Sequence, residues 1–492
     1  MKKITIYGSI LLLGIIASCK SNNEPLDVKQ VISRDNEAPN LIINASQYKT
    51  ISTRSGVKVA AVSEETTFNY DGKSVRVKAY SRNVGDTKNS PIFKYGDLLN
   101  RAISYKNAHP SVDVQIKFAM YKIGFDSYVG FNPLDASYGY VKGTDHGGTS
   151  SEKLIYSIVK AALNQVKVDF VYQFDVSESV YNYINGFMED PCTTDPNKKV
   201  KDYLKMRKVN WGTASYQQMH AKYMTVSHYT GDEGDVFNSV FSTTGNIDDH
   251  GTTGIPTGKD WVQSGLLING HPELMNSFNT YFDLIYANNL SQSDFHSAVR
   301  AMHMSNSLNY DDTHFSSYFT PIPSSPSGNY VPGAADSSAV QGNAWDTSFN
   351  PVAKYVSQMA TVTGDRYLKV NMYHLKMDNF GKKFYSELLN IYQSSSSGLK
   401  HFRFLAKENS YESTRPLSVF NNIGIMRYVK PTHAKNLTFA FSGLSAYYTL
   451  TGSTNLKLDE NTSKANTTIV VKEYTTDHPV YNAYKDIYEY QF

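Results

Sequence analysis

Two hydrophobic periods divide the chain into predicted strands and helices. Alternating apolar and polar positions flank Asp71-Gly72, and this pattern predicts a β-hairpin over residues 66–80. After the hairpin, apolar residues recur at the spacing of one helix face, which predicts amphipathic helices. A short apolar run after each helix predicts a strand. In the first half, the predicted helices lie at 95–105 and 152–163, and the predicted strands lie at 112–121 and 166–174.

The second half of the chain repeats this order of elements. Strands separated by helical crossovers favour α/β units with largely parallel pairing. The sequence therefore predicts an α/β protein of two halves with mixed, largely parallel sheets. In the second half, the predicted helices lie at 351–359 and 380–392, and the predicted strands lie at 367–374 and 401–406.

The stretch from 305 to 342 is rich in Ser, Pro, Asn and Gly, a composition typical of a loop. We therefore expect a connector at 301–345, between a first half at 57–300 and a second half at 346–492. Each half is expected to end in a further strand and a helix. These elements are predicted at 265–268 and 272–286, and at 468–471 and 480–490.

Residues 1–19 have a basic start, a short apolar run and the ending Ile-Ala-Ser-Cys. This pattern is typical of a secretory signal, because the apolar run is too short to span a membrane. The ending resembles a bacterial lipobox, which implies cleavage before Cys19 and acylation of that cysteine. We expect a lipoprotein signal peptide at 1–18, and a lipid anchor with a polar tether at 19–56. The expected location is the bacterial cell envelope, at the outer membrane or cell surface; an ordinary secretion signal is the alternative.

The 492-residue chain has a formal charge of +3, which becomes +1 if Lys2 and Lys3 leave with a signal peptide. Near-neutral charge disfavours a protein that binds nucleic acid by bulk electrostatics. Hydrophobic residues make up 40% of the chain, which excludes global disorder. Only two cysteines are present, which excludes a disulfide framework or a Cys-rich metal site. If Cys19 is acylated, we expect Cys192 to be a bystander thiol.

A His-Ala-Lys tripeptide occurs twice, and each copy lies at the start of an apolar run. Side chains two apart on a strand project from the same face. His220 therefore projects with Lys222, and His433 projects with Lys435. Two such pairs facing one another would place two imidazoles and two ammonium groups around one cavity.

That set of groups suits a phosphodiester. Two lysines can neutralise the non-bridging oxygens, while one histidine attacks phosphorus and the other protonates the leaving alkoxide. Each tripeptide is followed by a turn, a second short strand and an Asn-containing end, at Asn246 and Asn455. Amides at those ends can donate hydrogen bonds to phosphate oxygens. Since the lysines supply the positive charge, we expect no metal and no cofactor.

The paired His-x-Lys motifs with these downstream ends resemble the phospholipase D superfamily, over roughly residues 60–492. The resemblance implies a pseudo-two-fold pair of α/β/α sandwich halves, with the active site at their interface and a phosphohistidine intermediate. It implies that His220 is the nucleophile and that His433 is the general acid. The implied phosphate-binding residues are Lys222, Lys435, Asn246, Asn455 and Ser453.

The chain departs from the family pattern in several places. The family carries an Asp five residues after each motif lysine, where this chain has Ser227 and Ala440. That Asp is usually structural, so activity is still expected. The intervals from histidine to asparagine, 26 and 22 positions, are longer than usual, and a longer hairpin loop can absorb them. The Glu often found behind the active-site histidine is not evident, and Gln263 is the nearest polar candidate in the first half. The first Asn-containing end also begins with Thr243-Thr244 instead of Gly-Ser.

Several other polar residues are interpreted as structural. The cluster Asp248-Asp249-His250 has no further residue at metal-ligand spacing, so it is assigned to a solvated loop. Three other histidines are assigned to a loop, a surface strand end and a sheet: His146, His228 and His374.

The leading hypothesis is an envelope-anchored phosphodiesterase that resembles phospholipase D and hydrolyses phospholipid head groups. Its expected partners are a phosphodiester substrate and the membrane that holds its anchor. A metal-independent nuclease of the same superfamily is one alternative, although the small net charge disfavours it. A degenerate, non-catalytic surface binding protein is another alternative, motivated by the missing Asp positions and by Thr243-Thr244.

Overall fold

The structure is a computed structural model. It describes Ser63, Pro91 and residues 65–82, 93–124, 150–175, 179–247, 262–287, 291–323, 345–407, 419–429 and 432–491. These residues all belong to one compact unit, 58–492. The predicted signal peptide, the tether and Cys19 lie outside the described residues, as do His146 and the cluster at 248–250. Within the described part of the chain, no helix is both long enough and apolar enough to cross a bilayer.

The first half is built on an eight-stranded mixed sheet with the order β1-β2-β8-β7-β6-β3-β4-β5. The Asp71-Gly72 hairpin is confirmed, and Asp71 and Gly72 both have positive φ angles, 49° and 73°, as tight hairpin turns require. The strands are β1 (Thr66–Tyr70), β2 (Lys73–Arg82), β3 (Gln115–Ile123), β4 (Lys167–Asp175), β5 (Leu204–Lys208), β6 (Lys222–Gly231), β7 (Gly234–Thr243) and β8 (Gln263–Asn269).

The second half is built on another eight-stranded mixed sheet, with the order β13-β12-β11-β14-β15-β16-β10-β9. Its strands are β9 (Tyr310–Asp311), β10 (Phe315–Phe319), β11 (Arg366–Met372), β12 (Lys400–Lys407), β13 (Ile425–Val429), β14 (Lys435–Phe441), β15 (Ala446–Gly452) and β16 (Thr467–Glu473). Read from β9, this order matches the first sheet strand for strand. The two halves are therefore similar folds, as expected.

The pairing within the sheets differs from the expectation. In each sheet two strand pairs are parallel, β3–β4 and β4–β5 in the first and β11–β12 and β12–β13 in the second. The other described pairs are antiparallel. The prediction of largely parallel pairing is thus wrong, although the sheets are mixed. The reason is that only parallel neighbours need a long crossover connection, while hairpins and returning strands add antiparallel neighbours.

Helices cover the sheets and close the core. The described helices are α1 (Phe93–Ala108), α2 (Ser150–Leu163), α3 (Ser179–Asn185), α4 (Val200–Tyr203), α5 (Pro272–Tyr286), α6 (Gln292–Met304), α7 (Pro351–Thr361), α8 (Asn379–Gln393), α9 (Leu458–Thr462) and α10 (Pro479–Gln491). Helix α7 begins where its sequence indicates. The Asn350 side chain accepts hydrogen bonds from the backbone N–H groups of Val352 and Ala353, and Pro351 occupies the first turn.

Three large clusters of apolar side chains form most of the core among the described residues. One lies within the first half, against α1 and α2, and includes Leu98 and Phe118. Another lies within the second half, against α7 and α8, and includes Val356. The third joins residues of both halves, such as Phe278 of α5 and Val471 of β16. This shared cluster holds the two halves against each other in one compact unit.

The stretch predicted as a connector contains regular structure. Strands β9 and β10 lie within residues 301–345 and pair with each other and with β16. They occupy the positions in the second sheet that β1 and β2 occupy in the first. The second sheet therefore begins near Tyr310, before the boundary expected at 346. All five residues of β10 are buried. Its serines therefore lie inside the sheet, although a serine-rich sequence is typical of a loop.

Candidate active site

Each His-x-Lys motif lies at the start of a central strand of its sheet. Lys222 is the first residue of β6 and Lys435 is the first residue of β14. His220 and His433 are 7% and 6% exposed, and the two lysines are almost fully buried. Each lysine ammonium donates a hydrogen bond to the carbonyl of its own histidine, at 2.7 Å for Lys222 and 3.2 Å for Lys435. In both halves the motif lysine thus lies beside the backbone of its own histidine.

The structure brings the two motifs together through reciprocal backbone contacts. The residue before each histidine forms a bridge with the other half: Met219 with Ala465, and Thr432 with Val262. The backbone N–H of His433 donates to the carbonyl of Val262 at 2.8 Å. Since each half supplies the strand that borders the other's motif, the site lies at the junction of the halves.

Side chains also cross this junction. The Lys435 ammonium donates a hydrogen bond to the carbonyl of Thr244, in the first half, at 3.2 Å. His220 Nδ1 lies 2.9 Å from Asn466 Oδ1 and 3.2 Å from Glu460 Oε2, both in the second half. Each motif is thus completed by residues of the opposite half.

The contacts of His220 determine which of its nitrogens carries hydrogen. Burial, reinforced by the Lys222 ammonium, lowers the pKa of His220 to about 3, so the ring is neutral near pH 7. Asn466 and Glu460 present acceptor oxygens to Nδ1, and the Asn466 amide nitrogen is already committed, donating to the Glu460 carbonyl at 2.8 Å. The hydrogen therefore belongs on Nδ1, which leaves a lone pair on Nε2.

Glu460 belongs to a buried group of charges on and beside α9. Its Oε1 lies 2.8 Å from Lys464 Nζ and 3.6 Å from Lys457 Nζ, and Lys457 also lies 3.0 Å from Asp459. Burial disfavours the charged carboxylate, but Lys464, His220 and Lys457 together hold the pKa of Glu460 well below its usual range. A charged carboxylate is thus maintained beside His220.

The two Asn-containing ends are structural equivalents. Thr244 and Ser453 both accept a hydrogen bond from the backbone N–H of a neighbouring strand, Ser264 at 3.1 Å and Thr467 at 3.0 Å. The Thr-Thr sequence in the first half thus retains the geometry of Gly-Ser in the second. Because the Ser453 hydroxyl oxygen accepts this bond, its placement is explained by the fold.

The two asparagines differ in their contacts. Asn455 donates from its amide nitrogen to Glu460 at 3.1 Å and accepts from the backbone N–H of His374 at 3.1 Å. One of its two amide hydrogens is left for another acceptor. The buried Oδ1 of Asn246 has no hydrogen-bond partner among the described residues. Just before Asn246, a side chain on Gly245 would collide with Gln263, whose Oε1 lies 2.1 Å from the position of such a Cβ.

Sequence reasoning missed Glu460 and Asn466 as partners of His220. The expected residue, Gln263, is instead the counterpart of Asn466, because each follows the residue that bridges to the opposite motif. A usable signal was present: Gln263 is the first residue of β8, and Asn466 directly precedes β16. Only the exchange of partners between the halves could assign Asn466 to His220.

Ser227 and Ala440, which stand where the resembled family has Asp, have structural surroundings of their own. Ser227 accepts a hydrogen bond from the backbone N–H of Gln115 at 2.9 Å, and Ala440 is buried within β14. Neither departure changes the groups that surround the histidines. His228 lies near the far end of β6, stacked on Tyr105, in agreement with its predicted structural role.

His374 was assigned to the sheet, and the structure places it at the edge of the site. Its backbone binds Asn455, and its ring contacts Tyr373, with centroids 4.1 Å apart. Burial, reinforced by the charge of Lys457, keeps the pKa of His374 well below the usual range. Among the described residues, no group of three or more His, Cys, Asp or Glu side chains could hold a metal ion.

No protein-family model matches the chain, and no curated protein matches it. Solved structures with a similar fold include phosphatidylserine synthase from Haemophilus influenzae Rd KW20, at 9% identity and a TM-score of 0.45, over 83% of this chain and 89% of that one. Yeast tyrosyl-DNA phosphodiesterase matches at 9% identity and a TM-score of 0.37, over 73% and 82% of the two chains.

Polyphosphate kinase from Porphyromonas gingivalis matches at 10% identity and a TM-score of 0.41, over 84% of this chain. The match spans only 50% of the length of that kinase. The fold and the site by themselves define a two-half α/β protein, with a duplicated His-x-Lys site at the junction of its halves.

Proposed function

We propose that this protein is a phosphodiesterase of the phospholipase D superfamily, which acts through a phosphohistidine intermediate. One observation carries the proposal: two equivalent His-x-Lys motifs meet at the junction of two equivalent halves, each completed by residues of the other. Two buried ammonium groups attract an anion strongly in a site of low dielectric.

The orientation of His220 supports its role as the nucleophile. With hydrogen on Nδ1, the Nε2 lone pair attacks phosphorus and forms a P–N bond as the P–O bond to the leaving group breaks. His433, entering as the imidazolium, gives its proton to the departing alkoxide. Asn466 and Glu460 stabilise the positive charge that develops on His220.

The second step regenerates the enzyme. His433, now neutral, takes a proton from water as that water attacks the phosphohistidine. The P–N bond breaks, and a phosphomonoester leaves. Lys222, Lys435 and the free amide hydrogen of Asn455 hold the non-bridging oxygens in both steps.

We propose phospholipid head groups as the substrate class, because the lipobox-like ending at Cys19 would hold the site near a bilayer. The small net charge of the chain supports lipid over nucleic acid, since proteins that follow a phosphate backbone usually carry a basic surface. The proposed location is the bacterial cell envelope, where a lipid on Cys19 would anchor the protein. Incorporation of radioactive palmitate into the protein, and its loss in Cys19→Ser, tests this anchor.

The activity is tested by release of choline or ethanolamine from phospholipid vesicles. We expect His220→Ala and His433→Ala each to lower the rate by about 10²- to 10⁴-fold. His228→Ala is the matched control, because it removes a histidine from β6 outside the site. Full activity in either active-site variant would overturn the mechanism.

Two further assays decide between the alternatives. Cleavage of single-stranded DNA in EDTA, without release of head groups, would favour the nuclease. Failure to trap a phosphohistidine by acid quench across a panel of diesters would favour a non-catalytic binding protein.

A further inference from the structure

Two tyrosines occupy equivalent positions beside the two His-x-Lys motifs. Tyr121 lies two residues before Ile123, which bridges Ile247, the residue after Asn246. Tyr373 lies two residues before Leu375, which bridges Leu456, the residue after Asn455. The duplication of the fold therefore places one tyrosine at the same point in each half.

Both rings contact the histidine and the lysine of their own half. The Tyr121 ring centroid lies 5.0 Å from that of His220 and 5.1 Å from Lys222 Nζ. The corresponding distances from the Tyr373 ring are 4.6 Å to His433 and 5.3 Å to Lys435 Nζ. The same three groups thus meet twice, with nearly equal spacing.

These distances suit cation–π attraction, which acts within about 6 Å of the ring centroid and strengthens when the ammonium is desolvated. Both lysines are almost fully buried, so their ammonium groups cannot rely on water. The aromatic rings supply part of the missing solvation without neutralising the charge. An acidic partner in the same place would cancel the charge that attracts an anion.

We propose that Tyr121 and Tyr373 are positioning residues, whose ring faces hold the two motif lysines and pack the adjoining histidines for an anionic tetrahedral ligand. The proposal rests on the proposed function for the nature of that ligand. It assigns the effect to the aromatic ring, and it assigns no catalytic part to the phenol hydroxyl.

The test measures binding of tungstate, a tetrahedral oxyanion, by isothermal titration calorimetry. We expect Tyr121→Leu and Tyr373→Leu each to raise the Kd for tungstate by about 5- to 30-fold. Tyr121→Phe and Tyr373→Phe keep the ring and should stay within about twofold of the wild type. Tyr367→Leu is the matched control, because it removes a ring stacked on His401 near the opposite end of β11 and should leave the Kd unchanged.

A second series separates the ring's electrostatics from its shape. Phenylalanines with increasing fluorination, placed at 121 or 373, weaken the negative ring face while keeping its size. The Kd for tungstate should then rise stepwise with fluorination. This series also serves if the leucine variants fail to fold.

The inference would be overturned if the leucine variants bound tungstate as tightly as the wild type, or if the phenylalanine variants lost as much affinity as the leucine variants. It would also be overturned if the Kd for tungstate did not change with fluorination. Failure of the wild type to bind tungstate would overturn it as well. Hydrolysis of phosphodiesters by the wild type is scored separately. If tungstate binding follows the ring while no diester is cleaved, the positioning role stands and the proposed function fails.

Discussion

At the residue scale, the candidate site combines a buried histidine that is neutral with a buried glutamate that is charged. Burial holds His220 neutral while Glu460, next to it, stays charged because two lysines flank it. In the proposed mechanism the neutral imidazole is the nucleophile, and the nearby carboxylate would stabilise the cation that forms. This separation of charge lies wholly inside the protein, so salt should screen it weakly.

Lys435 gives a prediction for the pH dependence of anion binding. Burial lowers the pKa of Lys435 to about 7, and only the protonated amine attracts an anion. Affinity should therefore be full below pH 7 and fall above it, by up to about tenfold per pH unit. Calorimetric titration with tungstate between pH 6 and pH 9 measures this. Lys435→Arg, which stays charged, should remove this dependence, and a flat wild-type profile would contradict the prediction.

At the element scale, most helices and long strands were predictable because each carries its own period. The strands that were missed, β5, β9, β10 and β13, are short. Strand β10 reads as loop, because two serines interrupt its aromatic residues, yet all of it is buried against β16. Its partner lies about 150 positions away in the chain. A local sequence pattern cannot predict a pairing partner at that distance in the chain.

The start of α10 gives a prediction at this scale. The Glu473 carboxylate accepts hydrogen bonds from the backbone N–H groups of Val480 and Tyr481, at 3.0 and 2.7 Å. Burial nevertheless raises the pKa of Glu473 to about 7. Between the unfolded pKa near 4.5 and pH 7 the folded state binds more protons, so stability should fall as pH rises through this window.

Urea denaturation at several pH values tests this dependence. In Glu473→Gln the free energy of unfolding should change less between pH 4.5 and pH 7 than in the wild type. The comparison concerns the slope, because glutamine also alters the two hydrogen bonds. Equal slopes in the two proteins would contradict the predicted role of Glu473.

At the scale of the whole molecule, the shared core makes the two halves one folding unit. Phe319 of β10 packs on Phe278 and Tyr281 of α5, with centroid distances of 5.1 and 4.6 Å. Truncation in the second half should therefore loosen the first. Phe319→Ala is expected to cost about 3 to 5 kcal/mol.

Cys192 reports on that coupling, because it is buried in the first half. In a Cys19→Ser background, thiol labelling of Cys192 should be faster in Phe319→Ala than in the parent protein. Phe319→Leu, which retains most of the packing, should label at an intermediate rate. An unchanged labelling rate in Phe319→Ala would show that the halves open independently.

The sequence by itself determined the duplicated chemistry and most of the elements that carry it. A strand's two-residue period places His220 with Lys222 and His433 with Lys435, because both members of each pair lie close in the chain. Only the tertiary structure decided the partners from the opposite half, such as Asn466, 246 positions from His220. The physical reason is that local periodicity determines which face of an element is buried. Which distant element meets that face depends on the packing of the whole chain.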